Sequence, residues 1–334
     1  MNKNTFSFTL TAPQQELLKQ ILAAGNYDPL SVPHTQIAMS TRDCVIALYK
    51  SGKCVIQGKG AADFVMFILE PQVILTAQMG YEDLLNPENI QPHMGVDESG
   101  KGDFFGPLVI AAAYVDEALA PAMREMNVRD SKRITSDSKA LEMGSALRRL
   151  LGNRYAIVKI GPQAYNRLYS KMRSVNTILA WGHARAIENL LAALPDCPRA
   201  ISDQFGSKSQ VERALMQKGR KIKLVQRHKA ESDLAVAAAS ILAREGFLRT
   251  LKDYETKHGQ PFPKGASELV QAAAVQLITR TGNPQILIEV AKCHFKTADE
   301  VLGRVGKKRD VLGADGQAIS KAAYSRPAPD TAAE

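Results

Sequence analysis

The chain has 334 residues, 45% of them hydrophobic and 23% charged, with a formal net charge of +9. That is the make-up of a globular protein with one large or two modest cores, and it excludes a disordered or fibrous chain. No apolar run is long enough to cross a bilayer, and the start, Met1-Asn2-Lys3-Asn4-Thr5-Phe6, lacks the apolar centre of a secretory signal, so a cytoplasmic protein without membrane association is expected. Cys44, Cys54, Cys197 and Cys293 form no C-x-x-C pair, which argues against a zinc site.

Residues 5–10 alternate like a half-buried strand. Thr11-Ala12-Pro13 then opens a helix, with a hydroxyl near the cap, Pro in the first turn and Leu17, Leu18, Ile21 and Leu22 on one face. Strands are expected over 37–40, 44–50 and 53–57, with Ser51-Gly52 joining the last two, and a short helix over 63–69. This is a small α+β unit over residues 1–85, close to neutral and without a catalytic constellation. Residues 86–93 are polar with two prolines and read as a linker. A second domain is expected over 94–303.

That domain opens on Gly95-Val96-Asp97-Glu98-Ser99-Gly100-Lys101-Gly102-Asp103-Phe104-Phe105-Gly106-Pro107, followed by the apolar run 108–115. The pattern is strand, sharp turn, strand. Successive side chains of a strand point to opposite faces, so Asp97 and Glu98 reach one site only where the strand ends or twists. Carboxylate oxygens suit hard cations such as Mg²⁺ or Mn²⁺. Gly100-Lys101-Gly102 can bring backbone N–H groups and one ammonium to a phosphate. The same letters nearly match the nucleotide loop G-x-x-x-x-G-K-[ST], but Gly102 stands where that loop needs a hydroxyl, and two acids inside it would repel phosphates.

Further on, a loop carries Arg129-Asp130-Ser131-Lys132, and a helix is expected over 137–151, a strand over 155–160, and helices over 163–172 and 175–194. Trp181 falls on the core face of the last helix. A short strand from Arg199 ends at Asp203, a second carboxylate at a strand end. The stretch 207–229 then holds Lys208, Arg213, Lys218, Arg220, Lys221, Lys223, Arg227 and Lys229 against the single acid Glu212, a density that favours contact with backbone phosphates. A strand over 221–226 leads to Glu231 and Asp233, which open a small-residue helix over 234–243. Acids at a helix start stabilise it, which accounts for at least one of the two and leaves the other as a metal ligand. Helices are expected over 268–279 and 284–291, and the tail 304–334, poor in apolar periodicity, is expected to lack fixed structure.

Taken together, the segment 95–107, Arg129-Asp130-Ser131-Lys132, Asn176 to Ala184, Asp203-Gln204-Phe205, and Lys229-Ala230-Glu231 with Ala237-Ala238-Ala239-Ser240-Ile241 resemble the type 2 ribonuclease H family, and within it ribonuclease HIII. The N-terminal stretch from Leu48 to Gly60 resembles the TATA-binding-protein-like domain that precedes the nuclease there, which would make residues 1–85 a substrate-binding domain. The resemblance implies an α/β fold: an RNase H-like mixed sheet flanked by helices, preceded by the small α+β domain. It implies cleavage of the RNA strand of RNA–DNA hybrids to 5′-phosphate and 3′-hydroxyl ends, with two divalent cations, Mg²⁺ or Mn²⁺, and no obligate protein partner. Residue by residue, Asp97, Glu98, Asp203 and Glu231 match the catalytic, metal-binding carboxylates, with Asp97 bridging and Asp233 as the competing fourth position. Ser99, Gly100, Lys101, Gly102 and Lys132 match substrate contacts, with Lys229 a further candidate. Ribonuclease HII carries Gly-Arg-Gly at the turn; the lysine here and the N-terminal domain favour HIII. The alternatives are HII-like incision at single ribonucleotides and a hybrid-binding protein without catalysis.

Overall fold

The computed structural model describes residues 5–75, 90–128, 134, 136–203, 208–215, 219, 222–227 and 230–320. The chain divides into two compact units, Met1–Asn89 and Ile90–Glu334. No helix among the described residues is long and apolar enough to cross a membrane.

In the first unit β1 (Thr5–Thr9) leads to α1 (Ala12–Ala24), whose start is fixed by a capping box: Gln14 reaches back to the Thr11 N–H. Four further strands follow, β2 (Asp28–Pro29), β3 (Thr35–Ser40), β4 (Val45–Tyr49) and β5 (Lys53–Gln57). They form an antiparallel sheet in the order β1-β5-β4-β3-β2. Gly52, at φ +81°, turns β4 into β5. Alternate residues Ile46, Leu48, Cys54 and Ile56 are buried with Leu18 and Leu22 of α1, so one face of the sheet carries the core. The helix expected over 63–69 is longer: α2 (Ala61–Phe64) widens into a π-helical stretch, Val65–Ile74.

The second unit is a five-stranded mixed sheet between helices. Its strands are β6 (His93–Ser99), β7 (Leu108–Val115), β8 (Tyr155–Ile160), β9 (Arg199–Asp203) and β10 (Lys223–Arg227), in the order β10-β9-β6-β7-β8. β6 lies in the middle, parallel to β9 and antiparallel to β7. The intervening helices are α3 (Ala120–Glu125), α4 (Asp137–Leu151), α5 (Pro162–Met172), α6 (Val175–Ala193) and α7 (Lys208–Ala214). A 3₁₀ turn, Ala230–Ser232, precedes the long α8 (Leu234–His258), and α9 (Glu268–Thr281), α10 (Ile286–Val290) and α11 (Thr297–Arg304) complete the main helices.

Strand alternation splits the core in two. Val109, Ala111 and Ala113 pack with Ala235, Ala238, Ala239 and Leu242 of α8. Met94, Val96, Leu108 and Ile110 pack with Ile178, Leu179 and Ile187 of α6 on the other face. Small residues let both helices approach closely. A Cβ on Gly95 would overlap the backbone of Ala235 and Val236, and one on Gly182 would stand 2.6 Å from Cδ1 of Ile110.

Three expectations need correction. The linker does not extend to residue 93: His93 already belongs to β6 and is fully buried, because its imidazole meets Asp233 at 3.0 Å. The helix from 234 does not stop near 243 but runs to His258. Its later turns bury Phe247, Leu248 and Leu251 in the core, and ion pairs of Glu245 with Arg148 and Arg249, and of Arg244 with Asp137, flank them. The tail is ordered from 304 to 320. There Arg309 pairs with Asp299 and donates to the carbonyls of Cys293, Phe295 and Gly316, while Leu312 and Ala318 are buried. One guanidinium with five donors ties down a segment that lacks apolar periodicity. Residues 321–334 lie outside the described residues.

Since the Gly95 clash is with backbone, Gly95→Ala should push α8 off the sheet and lower the unfolding free energy by about 3 kcal/mol, read by urea denaturation. A variant within error of wild type would show that this contact is not rigid.

Candidate active site

Asp97 and Glu98 stand near the end of β6, and the sheet sends them opposite ways. Asp97 is level with Ala111, on the α8 side; Glu98 is level with Ile110, on the α6 side. β9 runs parallel to β6 with Val96 beside Ser202, so the next step brings Asp97 level with Asp203. Ile201 packs on Ala230 and Val236, and alternation puts Asp203 on that same α8 side. Both aspartates are half-buried. The Asp97 carboxylate accepts the Glu98 N–H at 2.8 Å, which draws it back along its own strand.

Glu98 is engaged from two directions. His183, on α6 and 1% exposed, meets Oε2 through Nε2 at 3.1 Å. Lys101, across the turn and 41% exposed, lies 3.6 Å from Oε1. Burial by itself raises the Glu98 pKa, but the hydrogen bond and charge of His183, with Lys101 behind them, hold it below the usual carboxylate value.

The turn between β6 and β7 exposes Lys101 and Gly102, while Gly100 and residues 104–107 are buried. Gly100 sits at φ +90°, and a Cβ there would overlap the Pro107 carbonyl oxygen, so only glycine fits. A Cβ on Gly102 would meet nothing within 4 Å, which leaves its peptide open to a ligand. Asp103 anchors the far side by accepting the Gly265 N–H at 2.6 Å, and Phe104 N–H donates to the Gly265 carbonyl. Beneath it Lys292, fully buried, donates to the carbonyls of Gly106 at 2.6 Å and Phe105 at 3.1 Å. Burial pushes the Lys292 ammonium down to about 7.

Two sequence candidates separate at the start of α8. Asp233 is the helix cap: it accepts from the N–H groups of Ala235 and Val236 and meets the His93 ring, and it is fully buried. Its carboxylate is thus engaged by the helix start and by His93, inside the core. Glu231 belongs to the 3₁₀ turn that follows β10, whose Arg227 is level with Asp203. The Glu231 side chain, Lys132 and Lys229 lie outside the described residues. Among the described residues no three His, Cys, Asp or Glu side chains are grouped closely enough to hold an ion.

A family model described as ribonuclease HII matches residues 94–298. Proteins named ribonuclease HIII from Protochlamydia amoebophila (strain UWE25) and Chlamydia pneumoniae are 40% and 38% identical to this chain, covering 88% and 89% of it and 95% and 97% of their own length. The chain belongs to the ribonuclease HIII family. It is accordingly an endoribonuclease of the ribonuclease H type, a phosphodiester hydrolase. Among solved structures, Bst-RNase HIII in complex with Mn²⁺ is similar with a TM-score of 0.62 at 27% identity, over 90% of this chain and 98% of that one.

His183 and Asp103 both fall inside segments that carry the family resemblance, which gives neither a role, and Lys292 falls in none of them. None carries a local signal. His183 meets Glu98 across 85 positions, and Lys292 meets Gly106 across 186.

If Asp233 only caps α8, Asp233→Asn should remain folded, since asparagine also caps well, and should lose about 1–3 kcal/mol in a denaturant titration through its weaker bond to His93. It should retain ribonuclease activity. A folded Asp233→Asn without activity would return Asp233 to the catalytic set.

Proposed function

We propose that this ribonuclease HIII relative cleaves the RNA strand of RNA–DNA hybrids by phosphodiester hydrolysis, leaving 5′-phosphate and 3′-hydroxyl ends. The observation that carries the reading is the juxtaposition of Asp97 and Asp203 at neighbouring strand ends, on one side of the sheet, with Glu98 and the open glycine turn beside them. In this reading Asp97, Glu98, Asp203 and Glu231 hold two divalent cations, Mg²⁺ or Mn²⁺. The donor chemistry fits: these are carboxylate oxygens at a sheet edge, as hard cations require. When bound, such ions activate a water and stabilise the leaving oxygen. Mn²⁺ in the related Bst-RNase HIII structure supports a divalent ion here.

The protein's own part is positioning. The peptides of Ser99, Gly100 and Gly102, free of bulky side chains at the two glycines, would lie against the sugar-phosphate backbone and address the 2′-hydroxyls that separate RNA from DNA. Lys101 would exchange its contact with Glu98 for a phosphate, and Lys132 and Lys229 would add positive charge. Residues 1–85 would serve as the substrate-binding domain.

The test is cleavage of a uniform RNA–DNA hybrid, and of a duplex with one embedded ribonucleotide, by wild type and Asp97→Asn. Wild type should cut the uniform hybrid with Mg²⁺ or Mn²⁺, stop on chelation and resume when the ion is restored. Asp97→Asn should lose at least about 10³-fold in rate, since it removes a charged ligand from the reacting centre. Efficient cutting at the single ribonucleotide would instead favour HII-like incision, and metal-independent cutting would overturn the carboxylate mechanism.

A further inference from the structure

We infer that His183 is a positioning residue, which fixes the Glu98 carboxylate so that its Oε1 edge is presented to a divalent cation. The inference rests on the reading of Glu98 as a cation ligand and goes one residue beyond it.

The geometry is specific. Glu98 is a long side chain on the α6 side of the sheet, away from Asp97 and Asp203. Left alone it would sample several rotamers, and ordering it would cost entropy each time an ion bound. His183 removes that freedom. Its Nε2 lies 3.1 Å from Oε2, in a setting where His183 is 1% exposed and the Glu98 side chain 14%. Oε1 points the other way, toward the solvent-accessible turn, where the Lys101 ammonium sits at 3.6 Å. One oxygen is thus held from the core while the other stays where an ion can take it.

The surroundings of His183 show that a polar group there is not needed for packing. Its neighbours on the helix, Ile178, Leu179, Ala180, Ala184 and Ile187, form an apolar face against Val96 and Ile110. An apolar residue would fill the same position without the cost of burying an imidazole. Gly182 is the local device that brings the ring within reach. A Cβ at 182 would stand 2.6 Å from Cδ1 of Ile110, the residue level with Glu98, so the glycine lets α6 lie close to the strand end. Partners that hydrogen-bond a ligating carboxylate from behind typically contribute 10–100-fold to metal affinity.

The experiment is Mn²⁺ binding by titration calorimetry on the full chain without nucleic acid, for wild type, Glu98→Gln, His183→Phe, His183→Gln and His183→Asn, with a melting curve for each. Glu98→Gln should bind Mn²⁺ markedly more weakly. His183→Phe, which keeps the ring volume and loses the donor, should bind about 10-fold or more weakly. His183→Gln, whose amide reaches the place of Nε2, should regain most of the affinity, while the shorter Asn should not. Hybrid KM at saturating Mn²⁺ should be unmoved in the folded His183 variants. Wild-type Mn²⁺ affinity in Glu98→Gln would sink the reading of Glu98 as a ligand. Loss in Glu98→Gln with wild-type affinity in folded His183→Phe would leave that reading intact and overturn the inference. Where His183→Phe does not fold, the Gln and Asn pair decides, and equal affinities for the two overturn it.

Discussion

The alternation of side chains along β6 is the constraint on which the rest of this active-site region depends. Two adjacent acids on one strand cannot share a face. Asp97 goes to the α8 side and Glu98 to the α6 side, and each helix layer therefore contributes to what surrounds them. On the α8 side the parallel neighbour β9 supplies Asp203, and the turn before α8 supplies the backbone of Glu231. On the α6 side the helix supplies His183. The close approach of both helices, permitted by Gly95 and Gly182, is what gives these groups fixed positions.

Charge follows the same division. A carboxylate pushed toward the interior loses hydration and would take up a proton. Glu98 avoids this through His183 and Lys101, and its pKa is held low in spite of burial. Asp233 is buried as the cap of α8, where it meets His93. Asp233 is absorbed into the framework, and two positions earlier Glu231 belongs to the turn between β10 and α8. The glycine turn is supported in a comparable way from below, where Lys292 gathers the carbonyls of Phe105 and Gly106 and Asp103 clips the loop at Gly265. These anchors act with the buried rings of Phe104 and Phe105, which pack against Phe295 and Phe262.

The similarity to ribonuclease HIII extends over nearly the full length of the relatives, so both units of this chain have counterparts there. The family identity fixes the class of chemistry, hydrolysis of a phosphodiester.

The sequence by itself determined the strand-turn-strand unit at 95–115, the strand ending in Asp203, most helices of both units and the acidic character of the site. These follow from local periodicity, turn chemistry and capping, which act over a few residues. Tertiary structure decided the rest. It assigned Asp233 to a cap, because only the fold brings His93 to it. It carried α8 to His258, where Phe247, Leu248 and Leu251 continue the buried face beside the ion pairs of Arg244 and Glu245, and it ordered residues 304–320 through the Arg309 guanidinium. It also set His183 against Glu98 and Lys292 beneath the turn. Such contacts join positions 85 and 186 residues apart, and no local pattern encodes which distant partner a buried polar group will find.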